Sequence, residues 1–143
     1  MGETRTIQIA ATPAEIERCF PVMRQLRPLL VAAEFVGRVQ SQLAEGYQMA
    51  SLEYQGKVVS VAGFRVQNML SSGKTFYVDD LVTDVAARSQ GHGEAMIQWL
   101  IALAREAGCS SFSLDSGTQR LEAHAFYLRE RLRITSFHFS LPL

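Results

Sequence analysis

The segment Arg88-Ser89-Gln90-Gly91-His92-Gly93 joins a strand-like run, Thr75–Thr83, to a helix-like run, Gly91–Ala107. Two glycines one residue apart let backbone lie close to a bulky group. The first turn of a helix leaves N–H donors without intrahelical partners, and the helix dipole adds positive potential there. Phosphate or pyrophosphate is the natural guest of such a junction, and Arg88 at its entrance adds a guanidinium. A tight turn into a helix with no ligand has the same local spelling.

Two familiar phosphate motifs do not fit. A nucleoside-triphosphate loop needs GxxxxGK followed by Ser or Thr, and Lys57 and Lys74, the two lysines, lie outside any such pattern. A dinucleotide loop needs a third glycine, where this chain has Met96.

Beside this junction stand an acid pair and a tyrosine. Asp79-Asp80 lies within the preceding strand, and alternation there points the two carboxylates to opposite faces. A carboxylate turned inward is costly unless it is paired or used; one with a raised pKa can act as a general base, and one capping a turn or paired with an arginine is structural. Tyr127, in Ala123-His124-Ala125-Phe126-Tyr127, offers a phenolic proton or a packing ring. His92, His124 and His138 fall on three different elements without HxH or HxxxH spacing, so no metal site emerges. No serine sits in GxSxG, which removes the nucleophile-elbow hydrolases.

The elements that position these groups follow from period and punctuation. Arg5–Ala10 alternates as a strand. Thr12-Pro13-Ala14-Glu15 spells a helix start, with a capping threonine, proline in the first turn and a capping-box glutamate. That helix runs toward Arg27 and stops before Pro28. A second spans Ala32–Glu45, and Gly46 ends it. Tyr47–Tyr54, Lys57–Val66 and Thr75–Thr83 read as an antiparallel meander, with a loop at Asn68–Lys74. After the Gly91–Ala107 helix come a short strand, Ser110–Leu114, a helix, Thr118–Arg131, and a terminal strand, Ile134–Leu141. The order β-α-α-β-β-β-α-β-α-β places the chain in the α/β or mixed α+β class, a mostly antiparallel sheet flanked by helices.

A chain of 143 residues is expected to form one domain, residues 1–143. Its hydrophobic content, 48%, supports a packed core. Fourteen basic residues balance fourteen acidic ones, which argues against a nucleic-acid footprint. No apolar run approaches membrane-spanning length, and the N-terminus lacks a signal-peptide core. Cys19 and Cys109 stand far apart without ligand spacing, as in a reducing compartment. The expectation is a cytoplasmic protein with no nucleic-acid or membrane partner. Neutral net charge permits self-association, and the apolar terminal strand, with Phe137 and Phe139, needs a cover; a homodimer is expected.

With these residues in that order, the chain resembles the GNAT superfamily of N-acetyltransferases. The Arg88-Ser-Gln-Gly91-His-Gly93 segment matches that family's Arg/Gln-x-x-Gly-x-Gly/Ala signature, Tyr77–Asp84 resembles its fourth strand, and Ala125-Phe-Tyr127-Leu its last catalytic helix. The resemblance implies acetyl-CoA as co-substrate, no metal, and direct transfer in a ternary complex to a primary amine of a small molecule or peptide. It assigns the N–H groups of Arg88, Ser89, Gln90, Gly91, His92 and Gly93 to the CoA pyrophosphate, and the backbone of Leu81, Val82 and Thr83 to the pantetheine arm and thioester. It makes Tyr127 the general acid and places Asp79, with Asp80 beside it, where some members carry a base. Arg120 replaces the asparagine many members have and could contact CoA phosphate or close the pocket. The family's Leu-Gly-Phe is here Leu132-Arg133-Ile134. A non-catalytic acyl-CoA-binding or regulatory module on the same fold is the alternative. The acceptor is expected to meet the first two helices and the Asn68–Lys74 loop.

Overall fold

The computed structural model describes residues 4–143. It divides into a larger unit, which ends at Ser113, and a smaller one, Leu114–Leu143.

The larger unit contains β1 (Thr6–Ile9), α1 (Pro13–Leu26), α2 (Ala32–Leu43), β2 (Gln48–Tyr54), β3 (Lys57–Met69), β4 (Gly73–Thr83), a 3-10 turn (Val85–Ala87) and α3 (His92–Glu106). It also holds most of β5 (Ser111–Leu114), and α4 (Leu121–Arg129) lies in the smaller unit. The sheet order is β1-β2-β3-β4-β5, and β1 to β4 pair antiparallel in sequence order.

The capping signals work as spelled. Thr12 accepts a hydrogen bond from the Glu15 N–H, and Glu15 accepts from the Thr12 N–H at 3.0 Å, which satisfies two donors that helix geometry leaves open. Helix α1 ends at Leu26, two residues before Pro28. Ile16, Cys19 and Met23 of α1 and Phe35 and Val39 of α2 join Tyr47, Met49, Val61 and Val82 of the sheet side in one buried cluster. The run Val58–Phe64 in β3 is buried throughout, as expected of a strand covered on both faces. Helix α3 also packs on β3 and β4, burying Met96, Ile97 and Leu100. Phe64, Phe76 and Phe112 stack in series across β3, β4 and β5, with centroids 4.7 and 5.4 Å apart.

Two expectations about elements are corrected. The loop read at Asn68–Lys74 is mostly strand: β3 runs to Met69 and β4 starts at Gly73, where Met69 pairs with Gly73. Turn-forming residues need only the hairpin tip, and the ladder extends over the rest. The strand read at Ile134–Leu141 is absent. Residues 132–143 have no ladder assignment, and Ile134, Phe137, Phe139 and Leu141 are exposed. Alternation gives a segment two faces, but strand structure requires a hydrogen-bonding neighbour, and none is formed here. Within this smaller unit the His138 ring approaches the Asp115 carboxylate at 3.7 Å.

Candidate active site

At the junction of β4 and α3, Gly91 is the N-cap of α3 with φ +85°, in the left-handed region. No side chain caps this helix start. A glycine in that conformation turns the chain so that the first-turn N–H groups face outward, the arrangement that receives an anion. Ser89 has φ +61°, a second left-handed residue in the same loop. These residues fit the diphosphate of acetyl-CoA, for which they would supply backbone donors.

Arg5, just before β1, clamps this loop, and the sequence offered no signal for it. Its Nε donates to His92 Nδ1 at 2.9 Å, and its Nη2 donates to the Gln90 carbonyl. A Cβ at Gly91 would lie 3.1 Å from that guanidinium, a close approach, and the positive φ there favours glycine in any case. His92 is buried, its ring tilted against Tyr54 at 4.8 Å. Burial first, then the Arg5 charge, holds its pKa below the ordinary value, so the imidazole is neutral and accepts from Arg5. Within the motif, His92 is therefore a support for the loop.

The expected thioester segment, Leu81–Thr83, pairs on one side with β3: Ala62 with Leu81, Val61 with Val82, Ser60 with Thr83. The Ser60 hydroxyl donates to the Val82 carbonyl at 3.0 Å. On the other side, β5 has four residues and starts beside Lys74 and Thr75: the Ser110 N–H donates to the Lys74 carbonyl at 2.7 Å, and Ser111 Oγ lies 2.9 Å from Thr75 Oγ1. So short a strand cannot reach Leu81–Thr83, which leaves that edge of β4 without a β5 ladder.

The acid pair departs from simple alternation. The β3–β4 register shifts between Gly63, paired with Asp80, and Phe64, paired with Val78, so Asp79 is the extra residue of a bulge. The bulge brings both carboxylates to one cluster instead of to opposite faces. Arg65 grips Asp79 with three hydrogen bonds of 2.8 to 3.1 Å. Its guanidinium lies 5.5 Å from the Tyr47 ring centroid. The Tyr47 hydroxyl donates to Asp80 Oδ2 at 2.8 Å, and Arg27 Nε donates to Asp80 Oδ1 at 2.9 Å. Burial, then the Asp80 charge, pushes the Tyr47 phenol's pKa far up, so it stays a donor.

Gly63 makes this cluster possible. A Cβ there would lie 1.6 Å from the Tyr47 hydroxyl oxygen, so Tyr47 reaches Asp80 only across a residue with no side chain. The readable signal was a glycine inside a strand, which marks a bulge or a close approach.

Asp80 borders a cavity of about 450 Å³ whose walls include Met23 and Leu26 of α1, Phe35 and Val39 of α2, and Met49 of β2. Asp79 does not line it, nor do residues 68–74. The first two helices, expected to meet the acceptor, line this cavity, and the Asn68–Lys74 segment does not.

In the smaller unit, Tyr127 and Arg120 come together. Burial raises the Tyr127 phenol's pKa, and the charge and hydrogen bond of Arg120 only partly oppose it, so Tyr127 keeps its proton at neutral pH. Arg120 is the N-cap residue of α4. Among the described residues, no group of three or more His, Cys, Asp or Glu is placed to hold a metal ion.

Residues 12–131 match the model of the acetyltransferase (GNAT) family. The chain belongs to the GNAT family. This GNAT-family chain is 29% identical over 126 residues to the uncharacterized N-acetyltransferase YhdJ of Bacillus subtilis, covering 87% of this chain and 89% of that protein. It is 30% identical over 89 residues to the aminoalkylphosphonate N-acetyltransferase of Salmonella typhimurium, covering 62% of this chain and 58% of that one. Among solved structures, the aminoglycoside N-acetyltransferase AAC(6')-Iy in complex with CoA superposes with a TM-score of 0.87 at 12% identity, covering 100% of this chain and 97% of that one. The mixed sheet flanked by helices is thus the GNAT fold, and acetyl-CoA-dependent acetyl transfer is the chemistry of the family.

Proposed function

We propose that this GNAT protein transfers an acetyl group directly from acetyl-CoA to a primary amine of a small molecule or peptide. The observation that carries the reading is the uncapped, left-handed Gly91 start of α3, held by Arg5 and standing after the end of β4, whose β3 ladder continues to Thr83 beyond the reach of the four-residue β5. When bound, acetyl-CoA supplies the activated acetyl thioester. The loop Arg88–Gly93 holds the diphosphate, and the backbone of Leu81, Val82 and Thr83 orients the pantetheine arm. The amine enters the cavity beside Asp80, which orients it and takes its proton through water. Of the two acids, Asp80 has this role because it lines the cavity, with its carboxylate oriented by Arg27 and Tyr47, whereas Asp79, bound by Arg65, does not line it. The amine nitrogen forms the new bond to the acetyl carbon as the carbon–sulfur bond breaks. Tyr127, kept protonated, gives its proton to the departing thiolate. Arg120 sets the Tyr127 hydroxyl and offers charge to CoA phosphate.

The family match at 12–131 runs across both units, which supports one catalytic domain. The exposed apolar tail supports a homodimer, for which light scattering should return twice the monomer mass at micromolar concentration. Two free cysteines favour a cytoplasmic location, and balanced charge leaves no nucleic-acid or membrane partner in this reading.

The test is calorimetry with acetyl-CoA followed by single-turnover transfer to an amine panel. Binding well below millimolar is expected, with turnover that falls about a hundredfold in Tyr127→Phe. Binding without turnover of any amine would leave a non-catalytic acyl-CoA module.

A further inference from the structure

The cavity beside Asp80 is not electrostatically neutral, and its imbalance bears on what enters it. Three charged residues line it: Arg27, Arg38 and Asp80. Arg27 is committed, with Nε on Asp80 at 2.9 Å and Nη2 on the Asp79 carbonyl at 3.0 Å. Arg38 has no hydrogen-bond or ion-pair partner among the described residues. It stands on the α2 face that carries Phe35, Val39 and Gln42, the i, i+3, i+4, i+7 stripe that lines the cavity, and it is exposed.

We infer that the acceptor is an amine that also carries an oxyanion, of the carboxylate, phosphate or phosphonate class, and that Arg38 holds the oxyanion. This rests on the acetyl-transfer reading and names the acceptor of that same site. A guanidinium presents a planar fork of donors that matches two oxygens of a carboxylate or phosphoryl group. With Arg27 and Asp80 already paired, Arg38 is the charge on this wall left unmatched among the described residues, and it favours such a group over a neutral one and repels a second cation. Met23, Leu26 and Phe35 enclose the body between the charged ends, and about 450 Å³ suits a molecule of metabolite size. The amine end faces Asp80, whose carboxylate attracts an ammonium and then accepts its proton. The acceptor is thereby read as dipolar, its two ends matched by residues from α2 and β4.

The experiment compares primary alkylamines of equal length that end in a methyl, an alcohol, a carboxylate or a phosphonate, acetylated by the full chain at fixed ionic strength. The anionic arms should exceed the neutral ones at least tenfold in kcat/KM, the difference lying in KM. The better of the two anionic arms identifies the oxyanion. In Arg38→Gln that preference should fall to within twofold, and Arg38→Lys should restore part of it. Added salt should reduce the preference in the native protein. Neutral amines acetylated as well as anionic ones, or a preference untouched in Arg38→Gln, would overturn this inference and leave the acetyl-transfer reading standing. Acetyl-CoA binding with no turnover of any arm would overturn both.

Discussion

The glycine loop at the start of α3 and the carboxylate cluster on β4 are built on different principles. The loop is a local object. Its shape comes from left-handed backbone at Ser89 and Gly91 and from the helix that follows, all within a few residues. The cluster is a tertiary object, in which Arg27, Tyr47, Gly63, Arg65, Asp79 and Asp80 come from α1's end, the start of β2, β3 and β4. In the proposed reading, a common co-substrate is bound through a short motif while distant side chains shape the acceptor pocket. It predicts that changes in the loop act on CoA, and that changes in the cluster act on the acceptor or on the fold.

The sharpest division is between the two acids. Asp80→Asn should lower kcat/KM for the acceptor about a hundredfold at neutral pH, with partial recovery at high pH where the amine deprotonates unaided. Steady-state pH profiles measure this. Asp79→Asn should instead act on stability by releasing Arg65. The opposite assignment of the two profiles would show that the cavity-facing acid has been misidentified. Next in size, Gly63→Ala must displace Tyr47 from its bond to Asp80 and should cost about 2 kcal/mol of stability. Urea denaturation gives the value, and an unchanged midpoint would mean that the strand yields without loss.

On the loop side, Arg5→Ala removes the clamp without touching a phosphate donor. Acetyl-CoA affinity should weaken about tenfold, roughly 1.4 kcal/mol, and calorimetry at matched ionic strength reads it directly. Equal affinity in the variant would show that α3 holds the loop unaided. The smallest effect is on pH. The folded pKa of His92 lies below its unfolded value near 6.5, so the unfolded chain binds more protons between the two. Stability from this group is complete above about pH 6.5 and declines as pH falls toward the folded value. Glu15 and Asp84 are held below ordinary carboxylate values by backbone N–H groups and act in a lower window. Thermal melts between pH 7 and 5.5 should fall more steeply for the native protein than for His92→Gln; parallel slopes would remove His92 as the cause.

Legibility followed the same division. The N-terminal capping box, the hairpin turns of the meander and the α3 start were readable because each depends on neighbours within about four residues. The opposed faces expected for Asp79 and Asp80 failed because one bulge residue shifts the alternation of everything beyond it. Arg5 escaped notice because nothing local marks an arginine 87 positions from the histidine it holds. The tail was read as a strand from its alternation, yet a ladder needs a partner that alternation cannot supply.

By itself, then, the sequence determined the order of elements from β1 to α4, the glycine turn and the helix start that suits a diphosphate. These rest on backbone sterics and on hydrogen bonds that close within a turn. Only the tertiary structure decided that Asp80 and not Asp79 borders the cavity, that Tyr47 reaches Asp80 over Gly63, and that Arg38 stands there with no ion-pair partner among the described residues. Those facts depend on strand register and on which helix face meets the sheet, and packing over the whole chain selects both.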